Sequence, residues 1–200
     1  MMRTARTIRR FRDDAVPDDV LRRCLEAATW APSGGNMQPW RFIVLRSPES
    51  RAVMQGGADA ALKVIEDVYG FERPAPDDDT PAARGRRAVY ELHDNAAGVP
   101  VGVLFAYRDL PMTPPEIQGS AIFAAMENFL LACRNEGLGA VVTGWGNTAD
   151  AELHRVIAIP DEWKIATIVA VGYPQGAHGP LRRKPVEKVA FLDRWDAPFS

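Results

Sequence analysis

Guanidinium and hydroxyl groups stand close together early in the sequence, in residues 6–11, RTIRRF. In an extended chain Arg6 and Arg10 would share one face and Thr7 and Arg9 the other, with Phe11 free to anchor the segment in a core. Forked guanidinium groups and a hydroxyl suit a phosphate or an electron-rich ring carbonyl. Taken alone, the hexapeptide is more typical of a solvated basic arm.

A second polar segment, residues 31–40 (APSGGNMQPW), directly follows a predicted amphipathic helix. Two glycines free the backbone for close approach to a ligand. Asn36 and Gln38 can both donate and accept hydrogen bonds, as the edge of a planar heterocycle requires. A helix-ending loop anchored by a buried Trp40 would have a similar composition, so the segment favours the two interpretations equally.

Residues 137–144 (GLGAVVTG) and 180–185 (PLRRKP) form the third candidate. Thr143 and Gly144, at a predicted strand end, offer a hydroxyl and a bare amide. The Arg-Arg-Lys run can bind phosphate, although such runs usually form solvated surface. Residues 137–142 begin like a dinucleotide fingerprint, but Val142 replaces its third glycine. These residues also lead into a predicted strand and not a helix, which excludes a Rossmann site.

Composition narrows the function classes. The 200 residues, 46% apolar and 25% charged, suit one globular domain. A net charge of −2 does not suit a nucleic-acid backbone. Cys24 and Cys133 lack metal-site spacing, and the three histidines lack that of a catalytic triad. With neither a secretory signal nor an apolar run of ~20 residues, we expect a cytoplasmic protein without metal, nucleic-acid or membrane partners.

Hydrophobic periodicity predicts strands alternating with helices. Helices are predicted at 17–30, 50–69, 115–136 and 149–157, and strands at 41–46, 99–107, 139–145 and 165–173. Residues 71–84, rich in Pro, Asp and Arg, predict a surface excursion or lid within a partly helical stretch at about 55–95. The apolar content of residues 181–200 predicts that this tail packs on something, such as a partner subunit. The pattern is typical of one mixed-sheet α/β or α+β domain.

Five ordered motifs along the chain resemble the nitroreductase family of FMN-dependent oxidoreductases. They are residues 6–11 (RTIRRF), 32–40 (PSGGNMQPW), 127–139 (ENFLLAC and GLG), 171–174 (VGYP) and 182–185 (RRKP). The resemblance implies an α+β fold, a three-layer α/β/α sandwich with a mixed central sheet, as a single domain over residues 1–200. It also implies an intertwined homodimer with two FMN sites at the interface and residues 181–200 as the arm that crosses to the partner.

The resemblance assigns cofactor-binding roles to the matched residues. Arg6, Thr7 and Arg183 would hold the FMN phosphate and ribityl chain. Arg9 would face the N1/C2-carbonyl edge of the isoalloxazine, where negative charge develops on reduction. Many family members carry a further arginine immediately before the first motif arginine. Here Ala5 occupies that position, which predicts weaker phosphate binding unless Arg3 or Arg182 compensates.

The resemblance implies that the other matched residues contact the isoalloxazine ring. Thr143 and Gly144 would lie near its N5/O4 edge. A further set would reach the flavin from the partner subunit: Pro32, Ser33, Gly34 and Asn36.

The activity that the resemblance implies is hydride transfer from NADH or NADPH, through N5 of FMN, to a small electron-poor acceptor such as a nitroaromatic, quinone or enone. One shared binding face predicts ping-pong kinetics, with no obligatory side-chain acid or base. The acceptor stays open, since the arginines between residues 54 and 95 could contact an anionic substrate or simply form a solvated lid. Three alternatives also stay open: a flavin storage protein without turnover, a specialised flavin enzyme that removes halogen or cleaves flavin, and a colourless regulatory protein that binds a phosphorylated metabolite.

Overall fold

A computed structural model describes residues 1–110, 112–114 and 117–199. Within these ranges helices and strands alternate. In chain order they are α1 (Asp18–Thr29), β1 (Trp40–Leu45), α2 (Pro48–Tyr69), α3 (Pro81–Asp94), β2 (Val101–Arg108), α4 (Ser120–Asn135), β3 (Gly139–Thr143), α5 (Trp145–Thr148), α6 (Asp150–Ile157) and β4 (Trp163–Gly172).

The four strands form one sheet in the order β1-β2-β4-β3, and each neighbouring pair is antiparallel. A parallel bridge between Thr7 and Ala140 joins the N-terminal segment to β3, so the sheet is mixed at this edge. Residues Val101–Ala106 of β2 are all buried, as expected of a strand that lies between two others and is covered on both faces.

Helices cover both faces of the sheet. Successive residues of β2 point to opposite sides, and Phe105 lies in a core with residues of α1 and α4 while Leu104 lies in a second core with residues of α2, α5 and α6. The predicted three-layer α/β/α sandwich is therefore confirmed. Within the described residues no helix is long and apolar enough to span a membrane.

Most predicted elements are present, with ends shifted by a few residues. The predicted strand 139–145 stops at Thr143 because α5 begins at Trp145. The predicted start of a helix at Pro115 lies outside the described residues, and α4 begins at Ser120.

The stretch at 55–95 contains a helix that the sequence did not resolve. Thr80 accepts a hydrogen bond from the Ala83 amide (3.2 Å) and Pro81 occupies the first turn, which together begin α3. Buried Tyr90 and Leu92 attach α3 to the body of the protein. The first half of α2 is likewise core, so the surface excursion is confined to its second half and residues 70–80.

Helix α2 is fixed to its neighbours at two points. The Arg51 guanidinium donates to three carbonyls of the loop before β2, those of Ala97 (2.6 Å), Val99 (2.8 Å) and Pro100 (3.0 Å). Further along, Gly57 packs so closely on α5 that an added Cβ would lie 2.4 Å from the Trp145 carbonyl oxygen. Together these contacts hold α2 beside the segment that joins β3 to α5.

Candidate functional site

Two segments that are distant in sequence run side by side at the β3 edge of the sheet. We call residues 3–12 the arm and residues 173–183 the tail segment. Three backbone hydrogen bonds of 2.9 Å join them, from Leu181 to Arg3, from Gln175 to Arg10 and from Arg12 to Tyr173. The arm therefore lies between β3 and the tail segment. Its first two residues, Arg3 and Thr4, end a short 3-10 helix (Met2–Thr4), and the arm is extended from Ala5 onward.

Ile8 anchors the arm. Its amide donates to the Ala140 carbonyl (3.0 Å), and its side chain is buried against Gly139. A Cβ on Gly139 would lie 2.7 Å from the Ile8 side chain, so only glycine allows this approach. With Ile8 fixed in the core, its polar neighbours Thr7 and Arg9 are positioned beside the space outside β3.

That space is a cavity of about 780 Å³, within the size range of small-molecule and cofactor sites. Its walls are the arm, the second half of α4, β3 and the tail segment. Four predicted site residues line it: Arg6, Thr7, Arg9 and Arg183. Ala5 also lines it, whereas Arg3 and Arg182 are not among the lining residues.

The cavity has an excess of positive charge. Four of its arginines have no carboxylate within 4.0 Å among the described residues: Arg6, Arg9, Arg134 and Arg183. Neighbouring arm residues behave differently, since Arg10 is paired with Glu91 and Arg12 with Asp14. Four guanidinium groups without a carboxylate partner thus line one cavity, as an anionic ligand requires.

Arg9 is the most desolvated of these groups. Burial lowers its pKa from the ordinary arginine value, yet a guanidinium remains charged at neutral pH. The neighbouring His93 is buried, and its pKa is lowered first by burial and further by the charge of Arg9. A neutral histidine does not compensate the guanidinium. Arg9 therefore presents a partly desolvated positive charge to the cavity.

Three polar residues that line the cavity were not predicted from the sequence as site residues: Glu127, Arg134 and His178. Glu127 and Arg134 lie on one face of α4, seven residues apart, together with Leu130. Their helical spacing was available from the sequence, but nothing in it showed that this face meets the arm. The Arg134 Nε donates to the Thr4 hydroxyl (3.2 Å), which fixes its guanidinium at the start of the arm.

Thr143 and Gly144 lie at the end of β3, next to the cavity-lining Val142. The Thr143 hydroxyl donates to the Ile168 carbonyl (2.8 Å) and accepts from the Trp145 amide (3.4 Å). The hydroxyl therefore donates and accepts its hydrogen bonds within the protein. At this position the exposed backbone of Gly144 is what a ligand could meet.

The Gly-rich segment after α1 forms a defined turn that does not line this chain's own cavity. Three of its residues have left-handed φ angles: Gly35 (57°), Asn36 (54°) and Gln38 (48°). Ser33 accepts from the Gln38 amide (3.0 Å), and the Gln38 side chain donates to Asn36 (3.1 Å). Pro32, Gly34 and Asn36 are exposed. The turn thus presents an exposed polar surface that is not part of its own chain's cavity, and its predicted contact with the partner subunit's flavin stays a prediction.

Three arginines between residues 73 and 87 are paired with residues of α3 and of the loop before it. Arg73 makes two hydrogen bonds to Asp94 (2.7 and 2.9 Å) and covers the Tyr90 ring at 4.3 Å. Arg84 donates to Asp79, and Arg87 donates to three carbonyls between residues 75 and 78. These three guanidinium groups are occupied by partners of their own segment.

A protein-family model described as the nitroreductase family matches residues 2–173. The chain belongs to the nitroreductase family. Among its relatives, an NADH dehydrogenase of Thermus thermophilus is 31% identical over 92% of this chain and 90% of its own length. A 5,6-dimethylbenzimidazole synthase of Rhodospirillum rubrum is 27% identical over 86% of this chain and 80% of its own length.

The nitroreductase fold is also evident in the solved structures that the chain resembles. A Desulfovibrio desulfuricans protein described as a nitroreductase, solved in complex with FMN, superposes with a TM-score of 0.67 at 26% identity, over 97% of this chain and 94% of that one. In this nitroreductase-family chain, the described residues contain no group of three or more His, Cys, Asp or Glu that could hold a metal ion.

Proposed function

We propose that this chain is an FMN-dependent oxidoreductase, which as a homodimer transfers hydride from NADH or NADPH to a small electron-poor acceptor. The observation that carries the proposal is the cavity lined by four arginines without carboxylate partners. Bound FMN supplies the acceptance and onward transfer of hydride, while the protein supplies position and charge. Two half-reactions at one binding face give ping-pong kinetics.

The layout of the cavity fits a long, phosphorylated ligand. From Ala5 to Arg9 the extended part of the arm spans about 13 Å, at about 3.3 Å per residue. Arg6 and Arg183 would bind the phosphate, with the Thr7 hydroxyl on the ribityl chain. Replacing Arg183 with Ala should weaken FMN retention, measured as flavin occupancy after dialysis. Full occupancy in R183A at low FMN would contradict this role.

Arg9 would stabilise the electron-rich edge of the isoalloxazine. A desolvated charge acts more strongly than a solvated one, and Arg9 is the partly buried arginine of the cavity. Arg9→Ala should therefore make FMN harder to reduce, seen as a more negative midpoint potential. Arg12→Ala, in the same arm but paired with Asp14, is the matched control. Equal potentials in R9A, R12A and the parent protein would refute the role.

A second copy of the chain would complete the site. The turn at 32–36 does not line its own cavity. Large apolar residues are exposed near this turn and within residues 181–200, including Trp30 (73%), Met37 (60%) and Trp195 (85%). Exposed apolar area of this kind is typical of an interface. We propose that Pro32, Ser33, Gly34 and Asn36 reach the partner's FMN and that residues 181–200 cross the interface. Gel filtration with light scattering should give twice the chain mass; a monomer would contradict the proposal.

The excursion favours neutral acceptors. Of the arginines between residues 70 and 95, Arg73, Arg84 and Arg87 are paired within residues 73–94. Among the described residues this leaves Arg86 for an anionic substrate, which is fewer free arginines than the sequence allowed. We therefore propose nitroaromatics, quinones or enones as acceptors. Steady-state rates with a neutral nitroaromatic and its carboxylated analogue test this preference, and a higher kcat/KM for the anion would reverse it.

The deciding experiment is the absorption spectrum of the purified protein, followed by rapid mixing with NADPH or NADH. An enzyme is yellow and loses its flavin absorbance within seconds. A storage protein stays yellow after mixing, and a regulatory protein that binds another phosphorylated metabolite is colourless even after incubation with FMN. The similarity to a 5,6-dimethylbenzimidazole synthase makes flavin breakdown the second candidate, which product analysis of the reduced protein under oxygen would detect.

A further inference from the structure

We propose that Arg134, on α4, is an additional phosphate-binding residue of the cavity and supplies the positive charge that Ala5 does not. This inference rests on the proposed function, because it concerns the phosphate of FMN. Arg134 lies between two of the stretches by which the chain resembles its family, residues 127–133 (ENFLLAC) and 137–139 (GLG), and belongs to neither.

The position of Arg134 is set by the arm itself. Its Nε donates to the Thr4 hydroxyl (3.2 Å), and both Thr4 and the adjacent Ala5 line the cavity. One nitrogen of the guanidinium is thus used for orientation. The two Nη groups have no hydrogen-bond partner among the described residues and stay available to a ligand, in the forked geometry that phosphate accepts.

No carboxylate neutralises this guanidinium. The acidic residue of the cavity, Glu127, lies seven residues earlier on α4, about 10 Å along the helix axis. Across the described residues, Arg134 is within 4.0 Å of no Asp or Glu. Its charge therefore adds to those of Arg6, Arg9 and Arg183 around the cavity.

Arg134 also lies in the last turn of α4, where a positive charge favours the helix dipole. A role confined to helix stability would affect all ligands of the cavity alike. A contact with phosphate would affect FMN, which carries a phosphate, and leave riboflavin, which does not, unchanged. Comparing these two ligands therefore separates the two roles.

The experiment measures the dissociation constants of FMN and riboflavin for apoprotein, by quenching of flavin fluorescence. Arg134→Ala should weaken FMN binding about tenfold or more, as loss of a charged hydrogen-bond donor commonly does, and leave riboflavin binding within about twofold. Arg155→Ala is the matched control, because this exposed arginine pairs with Glu152 on α6, outside the cavity, and its loss changes the net charge equally. Arg134→Lys, which keeps the charge at the helix end, should fall between R134A and the parent protein.

The rescue variant is decisive. Ala5→Arg combined with R134A should recover most of the lost FMN affinity, since residue 5 lines the same end of the cavity. An unchanged FMN affinity in R134A, or equal weakening of FMN and riboflavin, overturns the role of Arg134 while leaving FMN binding itself established. Absence of FMN binding by the parent protein would instead overturn the proposed function.

Discussion

The contact between α2 and α5 allows a paired test of the packing behind the site. Gly56 and Gly57 are neighbours in α2, but a Cβ on Gly56 would meet nothing within 4 Å, whereas one on Gly57 would lie 2.4 Å from the Trp145 carbonyl oxygen and 3.0 Å from Ala149. Replacing either glycine with Ala lowers the backbone entropy of the unfolded chain equally and adds the same methyl group. The two variants therefore differ in the space available.

The expected effects have opposite signs. Gly56→Ala should stabilise the protein by about 0.5–1 kcal/mol through helix propensity. Gly57→Ala gains the same amount but places its methyl group about 1 Å inside ordinary contact with a backbone oxygen, which cannot rotate away. Overpacking costs about 1–3 kcal/mol, and the rigid partner favours the upper part of this range. We expect a net loss of about 2 kcal/mol.

Urea denaturation of apoprotein, followed by far-UV circular dichroism, measures both changes. Protein concentration is held constant and FMN is excluded, because a partner or ligand that binds only the folded state raises the apparent stability. Since Trp145 directly follows Gly144, a displaced α5 should also weaken FMN binding in G57A and not in G56A. Equal stability of the two variants, or stabilisation by G57A, would show that α2 and α5 do not pack as described.

Three further outcomes are expected. Arg51→Ala should lower the free energy of unfolding by about 2 kcal/mol or more in the same denaturation assay, because three carbonyls lose a charged donor. An unchanged free energy would show that these hydrogen bonds do not stabilise the fold. Burial lowers the pKa of folded His93, so the unfolded chain binds more protons and stability falls as pH drops below about 6.5; His93→Gln should flatten that slope between pH 7 and 5, and an unaltered slope would assign it to other groups. Cys24 and Cys133, both buried, should react with a thiol reagent after denaturation and not before it; rapid labelling of native protein would contradict their burial.

The elements of the core could be predicted because each has an apolar pattern with one period. In α1 the residues Leu21, Cys24 and Ala28 recur at helical spacing and are buried as predicted. The start of α3 was missed because Thr80 and Pro81 lie within a run of Pro and Asp that dominates the composition. At this position one capping hydrogen bond and a few buried residues stabilise a helix, although the average composition of the stretch is unfavourable for one.

The candidate site could be predicted in part. The alternation in the arm predicts that Thr7 and Arg9 share one face, and the structure brings both to the cavity together with Arg183. It also brings Arg6 to this cavity, although the alternation placed Arg6 on the other face. Arg134 could not be found in this way, because its contact with Thr4 joins residues 130 positions apart. The commitment of the Thr143 hydroxyl to Ile168 likewise depends on the pairing of β3 with β4.

The ribbon formed by the arm and the tail segment has a consequence for how a ligand reaches the cavity. The hydrogen bond from Arg6 to Gly179 closes a loop of 173 residues, and closing long loops is entropically costly. Few buried side chains hold the ribbon, so it should exchange its amide hydrogens faster than β2 or β4. The cavity wall can then open by fraying while the sheet stays folded, and a cofactor can enter without global unfolding.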